Sequence, residues 1–216
     1  MWRHQVDGLC DICNPVLLDL VDQSSVAESA QWVLDSAPEH FALVGFSMGG
    51  YVAFELLRRA PQRISKLALI STSARADTAD RIDIRKSMIT RTESGEYKAL
   101  VEELIPYVIH HSRAKDQTLI DAIRTMALRI GDEAFVRQLN VIISRPDSRA
   151  DLSHISCPTR VIAGNDDLLT RPDLSREMAN GIKDATLVVI DYCNHYAPME
   201  QPEKVTRALR DWLMET

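Results

Sequence analysis

Apolar residues fall along this chain in two rhythms that take turns. Short runs rich in Val, Ile and Leu, namely FALVGF (41–46), KLALIST (66–72), TRVIAG (159–164) and TLVVID (186–191), read as buried strands, and VLLDLV (16–21) reads as a further strand ahead of them. Between the runs the apolar positions recur every three to four residues, as amphipathic helices require. SVAESAQWVLDSA places Val26, Ala30, Val33 and Leu34 on one face, with Ser25 and Glu28 at the spacing of a capping box. Gly50 to Ala60 reads as a helix stopped by Pro61, a further helix runs from Pro172 to the stop at Gly181, and the last begins near Pro202. This alternation predicts an α/β fold with a mostly parallel sheet flanked by helices.

Between about 75 and 155 the strand rhythm disappears. EYKALVEELIPYVI, DQTLIDAIRTMALRIG and DEAFVRQLNVII show helical spacing instead, the second ended by Gly131. The expectation is an α-helical insertion, 75–155, in a core built from 1–74 and 156–216. Its stripe of Leu119, Ile120, Ile123, Met126, Ala127 and Ile130 is expected to pack on the core or a neighbouring helix, with lining a pocket as the alternative.

Composition narrows the field. With 216 residues, 45% of them hydrophobic, the chain has enough apolar surface for one core plus an insertion. The net charge is −6 and the basic residues are interspersed with acids, so no nucleic-acid footprint appears. No apolar run approaches the roughly 18 residues of a membrane span. MWRHQVDGLC lacks the plan of a signal peptide, which makes a cytoplasmic protein the expectation.

Cysteines at 10, 13, 157 and 193 are too dispersed for a disulfide framework and are expected as reduced thiols. Cys10 and Cys13 form a CxxC that nothing completes into a zinc site, and they read as small residues in a helix-to-strand connection. His110 and His111, about 100° apart on a helix, make a poor metal pair and are expected to be solvated. Solvation is also expected for Arg113, Arg145 and Arg149, with receipt of a substrate carboxylate as the alternative.

GFSMGG (45–50) carries the candidate chemistry. It fits G-x-S-x-G, with an apolar strand before it and a helix after it, the setting of a nucleophile elbow. Ser47 must take a strained backbone conformation to stand clear of the sheet, and side chains beside it would collide with the neighbouring strand and helix. The turn also leaves the Met48 N–H at a helix start, where it can face an oxyanion. A serine hydroxyl needs a base and an orienting carboxylate, in the chain order Ser, Asp, His. Asp166 and Asp167 follow the strand TRVIAG, while Asp191 and His195 follow TLVVI, so each pair stands at the rim of a parallel sheet beside the elbow.

With GFSMGG, CPTRVIAGNDDLLTRPD and NHYAPMEQPEKV in place, the chain resembles the α/β-hydrolase superfamily from about Val16 to its end. The resemblance implies that Asp167, fourth from the glycine after its strand, is the acid. It implies that His195, followed by Met199, Glu200 and Pro202, is the base, and that the helical insertion is a cap over the site. The implied reaction is acyl transfer to water without metal or organic cofactor. Ser47 attacks, His195 moves the proton, Asp167 fixes the imidazole and Met48 donates to the oxyanion; the implied substrate is a small carboxylic ester, thioester or lactone.

One part of the family pattern has no match. Family members have further strands before the equivalent of VLLDLV, and a loop after one of them supplies a second oxyanion donor. WRHQVDGLCDIC resembles the helix that follows this loop, so the expectation is an N-terminally shortened hydrolase. Loss of one donor costs about 2.7–4 kcal/mol of transition-state stabilisation. The alternatives are therefore a noncatalytic or impaired binding protein on the same scaffold, or cofactor-free lyase or perhydrolase chemistry.

Overall fold

Four parallel strands form the sheet in the computed structural model, which describes residues 1–215; position 216, the end of the predicted core span, lies outside the described residues. The strands are β1 (Phe41–Phe46), β2 (Ile64–Ile70), β3 (Thr159–Gly164) and β4 (Thr186–Ile190), in spatial order β1-β2-β3-β4. The period of two along β2 divides the core. Ala68 and Ile70 face helices α1 (Arg3–Leu9) and α10 (Pro202–Met214), where Leu9, Val205, Leu209 and Trp212 cover them. Leu67 and Leu69 face the other way, onto Ala53 and Phe54 of α3 (Met48–Arg59) and Met178 of α8 (Pro172–Gly181). Burial of both faces explains why the strands read as continuous apolar runs. The four-residue helix α9 (Ala197–Glu200) precedes α10.

Helix α2 (Val26–Ser36) buries Val26, Ala30 and Val33 against α3. Ser25 Oγ accepts from Glu28 N at 3.1 Å, and the Glu28 carboxylate accepts from Ser24 N at 2.8 Å, so the capping box closes one residue early. VLLDLV is not a strand. Val16 and Leu17 are exposed, Leu18 and Leu20 pack on the α2–α3 cluster, and no ladder partner lies beside the segment. Its Leu20 and Val21 carbonyls accept instead from Gln138 Nε2 at 3.0 Å and Arg137 Nε at 2.7 Å, side chains that take the place of a sheet partner.

Between β2 and β3 the chain is helical: α4 (Ala79–Arg91), a π-type turn over Thr92–Glu96, α5 (Tyr97–Val108), α6 (Gln117–Ile130) and α7 (Asp132–Ile143). The last three are those the periodicity predicts; α4 is an addition, and it buries none of its residues. Asp116 caps α6 through Leu119 N at 3.0 Å, and Gly131, at φ 85°, ends it in a conformation that glycine adopts without strain. Tyr97, Val101 and Ile105 of α5 pack on Leu119 and Ile123 of α6, and the same cluster reaches Leu169, Tyr196 and Met199 beyond β3 and β4.

Two sequence expectations are overturned here. Arg145 is buried, because its guanidinium bonds Asp77 Oδ1 at 2.6 Å and the carbonyls of Arg75 and Ile142, and lies 4.2 Å from the Tyr51 ring centre. Asp77 also accepts from Arg85 at 2.5 Å, so a buried ion-pair network ties the start of the helical segment to its end. His110 is buried as well: its Nδ1 faces Ser112 Oγ at 2.7 Å, its backbone N–H meets Glu200, and only His111 beside it faces solvent. All four cysteines are free thiols. No helix of the described residues is long and apolar enough to cross a membrane.

Candidate active site

Ser47 directly follows β1, at φ 49° and ψ −113°, a backbone conformation costing an L-residue about 1–3 kcal/mol. Three contacts hold it there. Its N–H continues the ladder to Ile70 O at 2.9 Å, and its carbonyl accepts from Thr72 Oγ1 at 2.7 Å and Gly50 N at 3.0 Å. The turn closes because a Cβ is absent at two places. A Cβ on Gly45 would stand 2.7 Å from Gly49 O, and one on Gly50 would stand 2.3 Å from Thr72 Oγ1. The expected crowding does not extend to Gly49, which has open space around a Cβ position.

The three predicted side chains meet. His195 Nε2 lies 2.9 Å from Ser47 Oγ, and His195 Nδ1 lies 3.0 Å from Asp167 Oδ2. They come from the C-terminal ends of β1, β3 and β4, which a parallel sheet necessarily gathers at one rim. Asp167 is 2% exposed and His195 5%. Burial pushes the Asp167 carboxyl up, but hydrogen bonds from His195 and Thr170 and the attraction of the imidazole outweigh burial and hold the carboxyl below its usual range. Asp166 points elsewhere, 44% exposed and 3.5 Å from His110 Nε2, and Asp191 is exposed on the surface. Met48 opens α3, and its N–H makes no hydrogen bond among the described residues.

A family model described as the alpha/beta hydrolase fold matches residues 19–202. The chain belongs to that family. Among solved structures, this α/β hydrolase is similar to a thermophilic esterase from Thermogutta terrifontis at 30% identity and TM-score 0.88, covering 98% of this chain and 84% of that one. It shares its fold with an enol-lactonase from Burkholderia xenovorans LB400 at TM-score 0.90 and 23% identity, covering 99% and 86%. A curated relative, the pimeloyl-[acyl-carrier protein] methyl ester esterase of Nitrosomonas europaea, is 25% identical over an alignment of 213 residues that covers 93% of this chain and 81% of that protein.

Around the rim of this α/β hydrolase, Phe46 forms an aromatic wall beside the imidazole. Its ring lies 5.2 Å from that of His195 and stacks on Tyr196 at 5.7 Å, with Trp2 edge-on at 6.3 Å. Burial, with the nearby Tyr97 adding to it, pushes the Tyr196 hydroxyl up to about 12, so it stays protonated. A cavity of about 680 Å³ opens behind Asp167, lined by Pro106, His110, Asp166, Leu168 and Arg171 among others. Ser47 and His195 are not in its lining. No cluster of three His, Cys, Asp or Glu side chains among the described residues is arranged to hold a metal ion.

Two site residues escape a reading of the sequence. Thr170 Oγ1 donates to Asp167 Oδ2 at 2.7 Å and lies 3.4 Å from His195 Nδ1; Thr72 bonds the elbow carbonyl. The only signal for Thr170 is a hydroxyl three residues past the acid, the offset of a local turn bond. Thr72 gives none, because its partner is 25 residues away.

Proposed function

We propose that this α/β hydrolase cleaves a small carboxylic ester through an acyl-enzyme on Ser47. The observation that carries the proposal is the unbroken chain Ser47 Oγ, His195 Nε2, His195 Nδ1, Asp167 Oδ2, with links of 2.9 and 3.0 Å. With its Nδ1–H donated to Asp167, the imidazole presents the Nε2 lone pair to the serine hydroxyl and takes its proton as Oγ attacks the acyl carbon. The Met48 N–H, at the positive end of α3, faces the developing oxyanion. His195 then returns the proton to the departing alcohol, and water repeats the sequence on the acyl-enzyme. The methyl ester esterase and the thermophilic esterase among the relatives support an ester as the substrate class, and the Phe46–Tyr196 wall favours an apolar group against the imidazole.

In this reading residues 75–155 are a cap over the site, supported by the α5–α6 cluster reaching Tyr196 and Met199 next to His195. The test is hydrolysis of a short p-nitrophenyl ester by the full chain. Turnover is expected to vanish in Ser47→Ala, and a fluorophosphonate is expected to label Ser47 alone. Turnover persisting in Ser47→Ala would overturn the proposal.

A further inference from the structure

We infer that Asn194 and Glu200 are positioning residues that lock the His195 loop to the Asp167 loop and to the C-terminal end of α5; the inference rests on the reading of Ser47, Asp167 and His195 as a triad. Asn194 precedes the histidine and is 2% exposed. All three hydrogen bonds of its side chain go to backbone. Oδ1 accepts from Leu168 N at 3.0 Å, and Nδ2 donates to Tyr107 O at 3.1 Å and Ile109 O at 2.9 Å. Glu200, 1% exposed, accepts from Asn194 N at 3.0 Å through one oxygen and from His110 N at 2.5 Å through the other. On the other flank of the histidine, Tyr196 N donates to Val108 O at 3.2 Å.

Residues 107 to 110 are thereby bonded, one after another, to positions 194, 196 and 200. The last carbonyls of a helix have no partner within it. Here the histidine loop supplies those partners, so the end of α5 and the main chain on both sides of His195 form one rigid seam. Leu168 N ties the acid loop to the same side chain, next to Asp167. The separation of the acid from the base, and the aim of the imidazole at Ser47, are thus set by a seam that touches none of the reacting atoms.

The chemistry of the seam specifies its residue types. Position 194 must donate twice and accept once, which an amide does and a carboxylate cannot. Position 200 must accept from two N–H groups, one on each oxygen, which a carboxylate does and an amide cannot. Asn194→Asp and Glu200→Gln keep shape and volume while changing the donor and acceptor pattern and the charge, so they separate polar positioning from packing; Asn194→Ser changes the pattern without a charge.

The test uses the full chain, with two readouts on each variant. In wild type the His195 Nδ1 proton, held by Asp167, is expected as a far-downfield resonance in proton NMR of ¹⁵N-labelled protein, and a fluorophosphonate is expected to label Ser47. Asn194→Asp and Glu200→Gln are expected to lose that resonance and to label about 100-fold more slowly, the size of effect of misplacing reacting groups by about 1 Å. Ester turnover should show the loss in kcat with KM unchanged, while near-ultraviolet circular dichroism and a cooperative melt remain native. Should Asn194→Asp not fold, Asn194→Ser, which leaves no mispaired carboxylate, carries the same readouts. Variants that keep both the resonance and the labelling rate overturn the inference and leave the hydrolase reading standing, as does a wild type without the resonance that still labels. A wild type with the resonance but neither labelling nor turnover overturns the hydrolase reading, and the seam is then judged on the resonance alone.

Discussion

Thr170 and His195 converge on the same oxygen of Asp167, the hydroxyl at 2.7 Å and the imidazole at 3.0 Å. The other oxygen accepts from Leu169 N and Thr170 N, each at 2.8 Å. Three donors from its own loop and the imidazole as the fourth therefore fill the acceptor positions of the carboxylate. This is how a group 2% exposed stays ionised, and why its orientation toward the histidine is fixed.

Replacing Thr170 with Val removes one of these donors while keeping the volume. The Asp167 carboxyl should then rise toward its ordinary range, and stability at pH 7 should fall by about 1.5–3 kcal/mol, the worth of a hydrogen bond to a charged group. The wild-type carboxyl lies below its unfolded value, so its contribution is fully present above that value, about 3.9, and fades as pH falls through the folded value. Urea melts should show the gap between variant and wild type narrowing below about pH 4. A gap constant with pH would mean that the hydroxyl acts by shape alone.

Ser47→Gly should relieve the strain at φ 49° and stabilise the fold by about 1 kcal/mol, the strain energy less the extra chain entropy of glycine. Labelling by fluorophosphonate should disappear in the same protein. A thermal melt unchanged or lowered would contradict the strained reading of the elbow.

Glycines near the site should respond oppositely to Ala. At Gly164 a Cβ would lie 2.2 Å from Asn194 O and 2.5 Å from Cys193 O, backbone that cannot withdraw without moving His195. Gly164→Ala should destabilise by about 1–3 kcal/mol and suppress ester turnover. Gly49, inside α3 with nothing within 4 Å, should gain about 0.5–1 kcal/mol when replaced by Ala. Equal effects at both positions in a chemical denaturation series would contradict this distinction.

Removing the Arg145 guanidinium should leave Asp77 buried and short of a partner. Burial pushes the Asp77 carboxyl up, and hydrogen bonds from Arg145 and Arg85 outweigh it and hold it low. Arg145→Met should therefore destabilise by about 3 kcal/mol, and adding Asp77→Asn should recover a large part of that loss. A double variant as unstable as the sum of the two singles would show that the two side chains are not coupled.

Much of the molecule was legible in the sequence because it rests on local chemistry. The four paired strands follow from apolar runs buried on both faces, and Ser47, Asp167 and His195 stand where strand ends meet a rim. VLLDLV misled because an apolar run looks the same whether its carbonyls meet a strand or, as here, Arg137 and Gln138 from α7. Helix α4 left no trace because no residue of ADRIDIRKSMITR is buried, so no apolar stripe is required. His110 and Arg145 read as surface residues because their partners, Glu200 and Asp77, lie 90 and 68 positions away. Long-range polar partnerships leave no periodic mark.

The helical segment between β2 and β3 has a consequence for the order in which the protein matures. The elbow needs only β1, α3 and β2, whose end supplies Ile70 and Thr72 to hold Ser47, whereas β3 and β4, which bring Asp167 and His195, follow in the chain only after α4 to α7. Contacts between residues so far apart in the chain form slowly, because a large loop must be closed before they are rewarded. During synthesis, the serine thus emerges well before the residues that stand beside its hydroxyl. Chemical competence should be the last property this polypeptide acquires and, when its final strands loosen, the first it gives up.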